Sequence, residues 1–235
     1  MLIPRSRLAA LGAVLMSATA LGGLTACAPA QEPVKIAVDP SDPEQMVLAE
    51  IYRQVAELAG RDVGIVGKRF ADDGEKLEVL QTRDANFAVM CVGSLVVAAN
   101  PGETKALEAK KKAADEADAN EVDLALATYD AAVGTLPGSL TTVDPSPAQG
   151  CPRTEHADLP QNIIPVYEKK LFDRGIRNAL SKATRALATA DLEKLVEQTE
   201  EDGDPGAAVN EWMQEKTGMG SELQRIVDEG QAREA

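Results

Sequence analysis

The most constraining feature of this sequence is an alternation of short apolar segments with amphipathic helical patterns between residues 34 and 92. The apolar segments VKIAVD, DVGIV and NFAVMCV have the length and the β-branched content of buried strands. Strand, helix, strand, helix, strand is the order of a right-handed parallel βαβ sheet. The chain is therefore predicted to be an α/β protein.

The two helices of this unit can be placed from their end signals. The first is predicted to begin at Pro43 after Ser41 or Asp42 as N-cap, and to end at Gly60. The second is predicted over 73–83. Their apolar residues recur at helical spacing and are expected to face the sheet: Val47, Leu48, Ile51, Val55 and Leu58 in the first helix, Leu77 and Leu80 in the second.

The N-terminus has the pattern of an export signal. Arg5 and Arg7 precede an uncharged segment, 8–24, which is shorter than the roughly 20 residues of a spanning helix. It ends in LTAC, which resembles a bacterial lipobox, whose cysteine is acylated after cleavage. The alternative is an ordinary signal peptide followed by a chance cysteine. We expect residues 1–26 to be a lipoprotein signal peptide, Cys27 to be lipidated, and 27–33 to be a tether to the outer face of the bacterial cell membrane.

The two other cysteines, Cys91 and Cys151, are predicted to form a disulfide. Disulfides persist in an exported protein, and lipidation of Cys27 leaves these two as an even pair. The bond would close a loop of about 60 residues and stabilise the fold by roughly 4 kcal/mol in the chain-entropy model. Two free buried thiols are the alternative.

Charge and motifs exclude several kinds of function. A formal net charge of −14 argues against nucleic acid as a partner, because that affinity depends on neutralising phosphates with Lys and Arg. GRDVGIVGKR does not have the spacing of a P-loop, and no GxSxG or HExxH motif is present. His156 is the one histidine. We therefore predict a protein that is not an enzyme and that uses no cofactor and no metal.

The second half of the chain is predicted to be largely helical. A charged helix after Pro101 and the apolar VDLALATYDAAV form a helical hairpin, and 134–160 is a long irregular connection. NIIPVY is a strand candidate. Four helices are predicted after it, over 173–187, 191–200, 205–216 and 222–229, with Thr189, Asp204 and Ser221 as caps.

Several segments, in order, resemble one family. Four segments are similar to parts of the substrate-binding proteins of glycine betaine, carnitine and choline ABC transporters. They are IAVDPSDPEQMVLAEIYRQVAELAGRDV, the turn VGSL, and the C-terminal LPQNIIPVYEKKL and LSKATRALATADLEKLVEQTEEDGDPGAAVNEWMQEKTG. Together they cover about half of the chain. The resemblance implies the fold of a type II periplasmic binding protein, whose two α/β lobes clamp a ligand.

The resemblance also implies a division into lobes. Residues 34–98 and 160–235 would form the first α/β lobe. Residues 99–159 would form a reduced, mainly helical second lobe, consisting of the hairpin and a disulfide-held loop without strands.

The candidate ligand residues lie near the carboxyl ends of the first and third predicted strands, apart from Tyr129, which lies in the would-be second lobe. The family holds quaternary ammonium groups in aromatic cages, and the tyrosine of the family's turn aligns with Cys91. Tyr52 and Trp212 have the spacing of core residues instead. The remaining candidates for the cleft are Asp42, Glu44, Gln45, Gly93, Ser94 and Tyr129. Alternatively, Asp42 and Glu44 only cap a helix.

The expected function is a lipid-anchored solute-binding component of an ABC importer. Its ligand would be glycine betaine, choline or a related compatible solute, and its partners the subunits of an ABC permease. The alternative is a degenerate member of the fold that binds another envelope protein and no small ligand.

Overall fold

The computed structural model describes residues 31–116, 122–151 and 158–220. The predicted signal peptide, Cys27, His156, Ser221 and the predicted helix 222–229 lie outside these residues. The elements in chain order are β1 Val34–Val38, α1 Pro43–Leu58, β2 Val63–Gly67, α2 Asp73–Thr82, β3 Phe87–Cys91, α3 Val92–Ala99, α4 Pro101–Glu116, α5 Val122–Thr135, β4 Leu140–Thr141, β5 Ile163–Glu168, α6 Arg174–Ala186, α7 Thr189–Asp202 and α8 Gly206–Thr217.

One five-stranded sheet has the order β2-β1-β3-β5-β4. β1 lies between β2 and β3 and is parallel to both, with Ile36 opposite Ile65 and Phe87. β5 is antiparallel to β3, and β4 is antiparallel to β5. The predicted parallel βαβ unit and the α/β class are confirmed.

Both faces of the sheet are covered by helices. On one face, residues of α1, α6, α7 and α8 pack in a core with Ile36 and Phe87. On the other, residues of α2, α3, α4 and α5 pack with Met90 and Ile164. This double cover explains the near-continuous apolar runs of β1 and β3.

The aromatic residues pack mainly on the first face. Phe87 lies 5.4 Å from Tyr52 and 6.0 Å from Tyr167, measured between ring centroids. The hydroxyl groups of Tyr52 and Thr184 form a hydrogen bond of 2.9 Å in which either can be the donor. Tyr52 and Trp212 are both buried, which confirms them as core residues.

The buried core of the described residues lies entirely after Pro33. The described residues from Glu32 onward form one structural unit. A chain that begins at Cys27 therefore retains the whole described core, and we expect it to fold without the first 26 residues. None of the described helices combines the length and the apolarity needed to span a bilayer.

Three helices begin after an Asp that caps them, whereas Asp204, predicted as a cap, precedes the N-cap residue Pro205 of α8 and accepts from Gly206 N at 2.9 Å. Asp42 caps α1 by accepting from Glu44 N, Asp72 caps α2, and Asp173 caps α6. Thr189 was predicted as a cap and is instead the first residue of α7. Its hydroxyl accepts a hydrogen bond from Gln149 N at 3.0 Å, so it joins the helix to the connection between β4 and β5.

Two other local predictions were wrong. The VGSL segment is not a turn but the first half of α3, which follows β3 directly. The segment 99–159 is not free of strands, because β4 pairs with β5 and an isolated bridge joins Gln149 to Asn162. Two residues of strand surrounded by polar loop carry too little periodicity to be detected.

The division into lobes stays a prediction. Leu107 and Leu124 of the helical hairpin belong to the core cluster on the second face of the sheet.

Candidate functional site

A cleft of about 740 Å³ opens at the carboxyl ends of β1 and β3. The loops that follow β1 and β2 and the first turns of α1, α2 and α3 contribute to its lining, as α7 does from the far side. This edge of an open α/β sheet is where ligands are generally bound. The lining residues are Asp39, Ser41, Asp42, Pro43, Glu44, Gln45, Phe70, Ala71, Asp72, Asp73, Lys76, Ser94, Val97, Ala98, Cys151, Val196 and Glu200.

The floor of the cleft is a buried polar network around Lys76. Its ammonium group donates to Gln45 Oε1 at 2.8 Å and to the Val89 carbonyl at 3.0 Å, and lies 3.0 Å from Asp73 Oδ1. The other oxygen of Asp73 accepts from Cys91 N at 2.9 Å. Both charges are buried, so the pair is tolerated because each group is also hydrogen-bonded. The network fixes α2 against the ends of α1 and β3.

The loop after β1 forms the rim. The Ser41 hydroxyl donates to Asp39 Oδ1 at 2.6 Å, and Ser41 N donates to the same oxygen at 2.9 Å. The hydroxyl is the main cause that lowers the pKa of the Asp39 carboxyl from its usual value of 3.8, and the backbone N–H groups of Ser41 and Phe70 lower it further. Asp39 is therefore ionised at neutral pH.

The disulfide forms part of the wall. Cys91 and Cys151 are bonded, as predicted, across a sequence separation of 60. Cys151 N donates to Glu44 Oε1 at 2.7 Å, which ties the loop to the first turn of α1. The Sγ atoms and a Glu44 oxygen lie within 4.8 Å of one another. Because the two sulfurs are bonded to each other, they offer no thiolate to a metal ion.

Four of the six predicted ligand residues line the cleft: Asp42, Glu44, Gln45 and Ser94. Their side chains are partly committed within the protein. Asp42 caps α1, Glu44 holds Cys151, and Gln45 accepts from Lys76. Asp42 therefore caps α1, as the alternative prediction held, and it also lines the cleft.

Gly93 and Tyr129 do not line the cleft. A Cβ at Gly93 would lie 2.5 Å from Gln161 Nε2 and 2.8 Å from the Pro160 carbonyl, so the glycine serves a close approach of two segments. Gln161 Oε1 also accepts from Ser94 N at 3.0 Å. Tyr129 packs on the second core cluster and donates to the Val143 carbonyl at 3.3 Å, and burial raises the pKa of its hydroxyl.

The charge of the cleft is negative. Six carboxylates line it, and the one cation among its lining residues, Lys76, is paired with Asp73. Phe70 is the one aromatic residue in this lining, and Lys68 Nζ lies 5.6 Å from the centroid of its ring. The described residues can therefore attract a cation through carboxylates, while they offer a single ring face rather than a cage.

Sequence reasoning missed Asp73 and Lys76 at the floor and Val196 and Glu200 on the far wall. Asp73 and Lys76 stand in the first turn of a helix, where such residues usually face solvent. Their burial results from the contact of α2 with β3, which local pattern does not reveal. Val196 and Glu200 belong to α7, which follows Cys151 by about 40 residues and the other lining residues by about 90 or more, and no local signal marks them.

No protein-family model matches the chain. No curated protein matches its sequence.

Solved structures do resemble it. A protein described as a glycine betaine/carnitine/choline ABC transporter aligns with a TM-score of 0.56 at 11% identity, covering 77% of this chain and 98% of that chain. Apo YehZ from Escherichia coli aligns with a TM-score of 0.59 at 10% identity, covering 79% of this chain and 99% of that chain. The chain therefore has the α/β fold of these two proteins, a periplasmic-binding-protein fold, as its sequence resemblance predicted.

Proposed function

We propose that this chain is a lipid-anchored solute-binding protein that takes up a small ligand in its cleft and delivers it to an ABC permease. The observation that supports this most directly is the position of the cleft. It lies at the carboxyl ends of β1 and β3, in a fold shared with a glycine betaine/carnitine/choline ABC transporter protein. A cleft of about 740 Å³ is within the range of small-molecule sites.

The electrostatics of the cleft favour a ligand that carries positive charge. Choline and the ammonium end of glycine betaine or carnitine satisfy this condition, and the carboxylates at the rim would steer them in. On this reading the chain is not an enzyme. Cys27, lipidated at the outer face of the bacterial cell membrane, would keep it near the permease.

The second candidate function is that of an interaction protein that binds an envelope partner and no small ligand. The observation that favours it is the lining of the cleft, in which Phe70 is the single ring and Tyr129 does not take part. A quaternary ammonium group has no hydrogen-bond donor, so its recognition relies on ring faces.

Calorimetric titration of the chain Cys27–Ala235 distinguishes the two. Choline, glycine betaine, carnitine and proline are the ligands to test. Binding with a Kd in the micromolar range supports the solute-binding function. The absence of heat from a folded, oxidised sample would contradict it and would favour the envelope partner, to be sought by cross-linking in the membrane.

The anchor is tested separately by mass spectrometry of the mature protein. The expected result is an N-terminal Cys27 with the added mass of acyl chains. A chain cleaved at another position, with an unmodified Cys27, would overturn the lipid anchor and leave the solute-binding function in place.

A further inference from the structure

The strand β2 forms one edge of the sheet, and this edge is open and uncharged. Within the part of the chain that the structure describes, β2 pairs with β1 and with no other strand. Its sequence, VGIVG, contains no charge and no proline, and Ile65 at its centre is 49% exposed. Proteins usually protect an edge strand with charges, proline or a bulge, because an open edge can pair with another strand.

The residues at the two ends of β2 show which backbone groups point outward. The Asp62 carbonyl accepts from a backbone N–H of β1, and Lys68 N donates to a carbonyl of β1. Successive residues of a strand direct their backbone groups to opposite sides in the plane of the sheet. Val63, Ile65 and Gly67 therefore direct their N–H and C=O groups away from β1, toward the open edge.

This edge is complementary to itself in one antiparallel register. When Ile65 lies opposite Ile65 of a second copy, Val63 lies opposite Gly67 of that copy, and the reverse. Each of the three outward residues then donates and accepts one hydrogen bond across the two-fold axis, as the hydrogen-bonded pairs of an antiparallel ladder do. All outward backbone groups of β2 are satisfied in this register.

The charges that flank β2 are complementary in the same register. Asp62 lies opposite Lys68 of the second copy, and the two-fold axis repeats the pair. Both side chains belong to exposed residues, and neither is in a salt bridge with the residues that the structure describes. Opposite charges in directly opposed positions stabilise a strand pair, whereas like charges destabilise it.

Two sources of repulsion are weak in this arrangement. Arg61 would lie opposite Arg69 of the second copy, but its side chain is turned into the protein, where it donates to the carbonyls of Glu32 and Leu171. The net charge of −14 repels a second copy at long range. At physiological ionic strength this repulsion decays over about 8 Å, so contacts at the edge decide the outcome.

We infer that the chain forms a symmetric homodimer in which β2 pairs with β2 of a second copy, antiparallel and centred on Ile65. The contact joins the two five-stranded sheets into one continuous sheet. Its two-fold axis is perpendicular to the sheet, so the amino ends of the two β1 strands lie at the same height along the axis. Two lipid-anchored copies can therefore pair on one membrane, although the dimer does not depend on the anchor.

Sedimentation equilibrium measures the dimer. The chain Cys27–Ala235 carries Cys27→Ser in every sample, so that no disulfide forms between copies. We expect a Kd of about 10–100 µM, because a contact made mainly by one short strand is small. The apparent mass should rise from one chain toward two as the concentration passes through this range.

One apolar residue at the edge can be compared with another elsewhere. Ile65→Lys places two like charges opposite each other at the centre of the contact and should raise the Kd at least tenfold. Leu126→Lys makes the same change at another exposed apolar residue, on α5, and should leave the Kd unchanged. Thermal melting of both variants checks that the monomer still folds.

A charge swap tests the register. Asp62→Lys alone and Lys68→Asp alone each place like charges opposite each other and should each raise the Kd about tenfold. Combining the two changes restores opposite charges and should return the Kd to within about threefold of the original value. Within one chain these residues are about 20 Å apart along the extended strand, so the rescue can only arise between copies. Glu197→Lys, on the exposed side of α7, changes the net charge as Asp62→Lys does and should not raise the Kd.

Hydrogen exchange followed by NMR tests the outward backbone groups. The amides of Val63, Ile65 and Gly67 should become protected as the protein concentration rises through the Kd. Those of Gly64 and Val66, which face β1, should show the same protection at all concentrations.

A chain that remains monomeric up to about 500 µM would overturn the inference. A dimer that persists in Ile65→Lys would also overturn it, because another surface would then form the contact. Failure of the double charge swap to restore the Kd would overturn the register centred on Ile65. None of these results bears on the solute-binding function, which is read from calorimetry.

Discussion

Glu44 Oε1 accepts a hydrogen bond of 2.7 Å from the backbone N–H of Cys151, 107 residues later in the chain. Cys151 has a backbone φ of 53°, in the left-handed region that residues other than glycine rarely adopt. One carboxylate at the start of α1 and one disulfide thus hold the loop that completes the cleft wall.

Replacement of Glu44 by Ala should loosen this loop. A hydrogen bond to a charged group contributes about 1.5–3 kcal/mol, so the free energy of unfolding should fall by about that amount. Glu44→Gln retains an acceptor oxygen and should lose less. Urea denaturation of both variants measures the difference, and a Glu44→Ala protein as stable as the original would show that the contact contributes nothing.

Removal of the disulfide should have a larger effect. The bond closes a loop with a sequence separation of 60, so Cys91→Ala combined with Cys151→Ala should lower the free energy of unfolding by about 4 kcal/mol. Guanidinium denaturation of the oxidised protein and the double variant tests this. A difference below about 1 kcal/mol would mean that the unfolded chain is not substantially constrained by the bond.

Gly93 is predicted to be intolerant of even a methyl group. In Gly93→Ala the new Cβ would meet the Pro160 carbonyl at 2.8 Å, and backbone cannot move aside as a flexible side chain can. We expect a loss of about 1–3 kcal/mol. Gly134→Ala, in α5 with no atom within 4 Å of the new Cβ, is the matched control and should be neutral or stabilising by up to about 1 kcal/mol. Equal thermal stability of the two variants would refute the steric argument.

Ser41→Ala should raise the pKa of Asp39 toward its usual value of 3.8, because the hydroxyl is the main cause of the lowered pKa. The backbone N–H bonds remain, so part of the shift should persist. Since the folded-state pKa is lowered, the interaction stabilises the fold above about pH 4 and is lost as the pH falls through the folded-state pKa. Carboxylate NMR titration of both proteins measures the change. An unaltered Asp39 pKa would assign the shift to the backbone N–H groups and the charge of Arg69.

The parallel half of the sheet was predictable because its signals are local. Apolar runs, Pro43 and Asp42 define β1 and α1 within a few residues. The disulfide was also predictable, since the count of cysteines left a single pair.

The rest of the site depends on contacts between distant segments. Gly93 was assigned to the ligand because it follows a strand, whereas its close neighbours are Pro160 and Gln161. Lys76 and Glu200 have ordinary helical surroundings in the sequence. Only the packing of α2 on β3 buries Lys76, and only the fold brings α7 to the cleft.

The measurement that tests the proposed function most directly is calorimetric titration of choline and glycine betaine into two matched variants and the original chain. Val97→Trp places a large side chain in the cleft, whereas Val133→Trp adds the same group on the exposed face of α5, outside it. We expect micromolar binding by the original chain and by Val133→Trp, and at least a tenfold weaker affinity for Val97→Trp, which corresponds to about 1.4 kcal/mol. Equal affinities in all three proteins, or no binding by a folded original chain, would contradict the assignment of the cleft as a solute site.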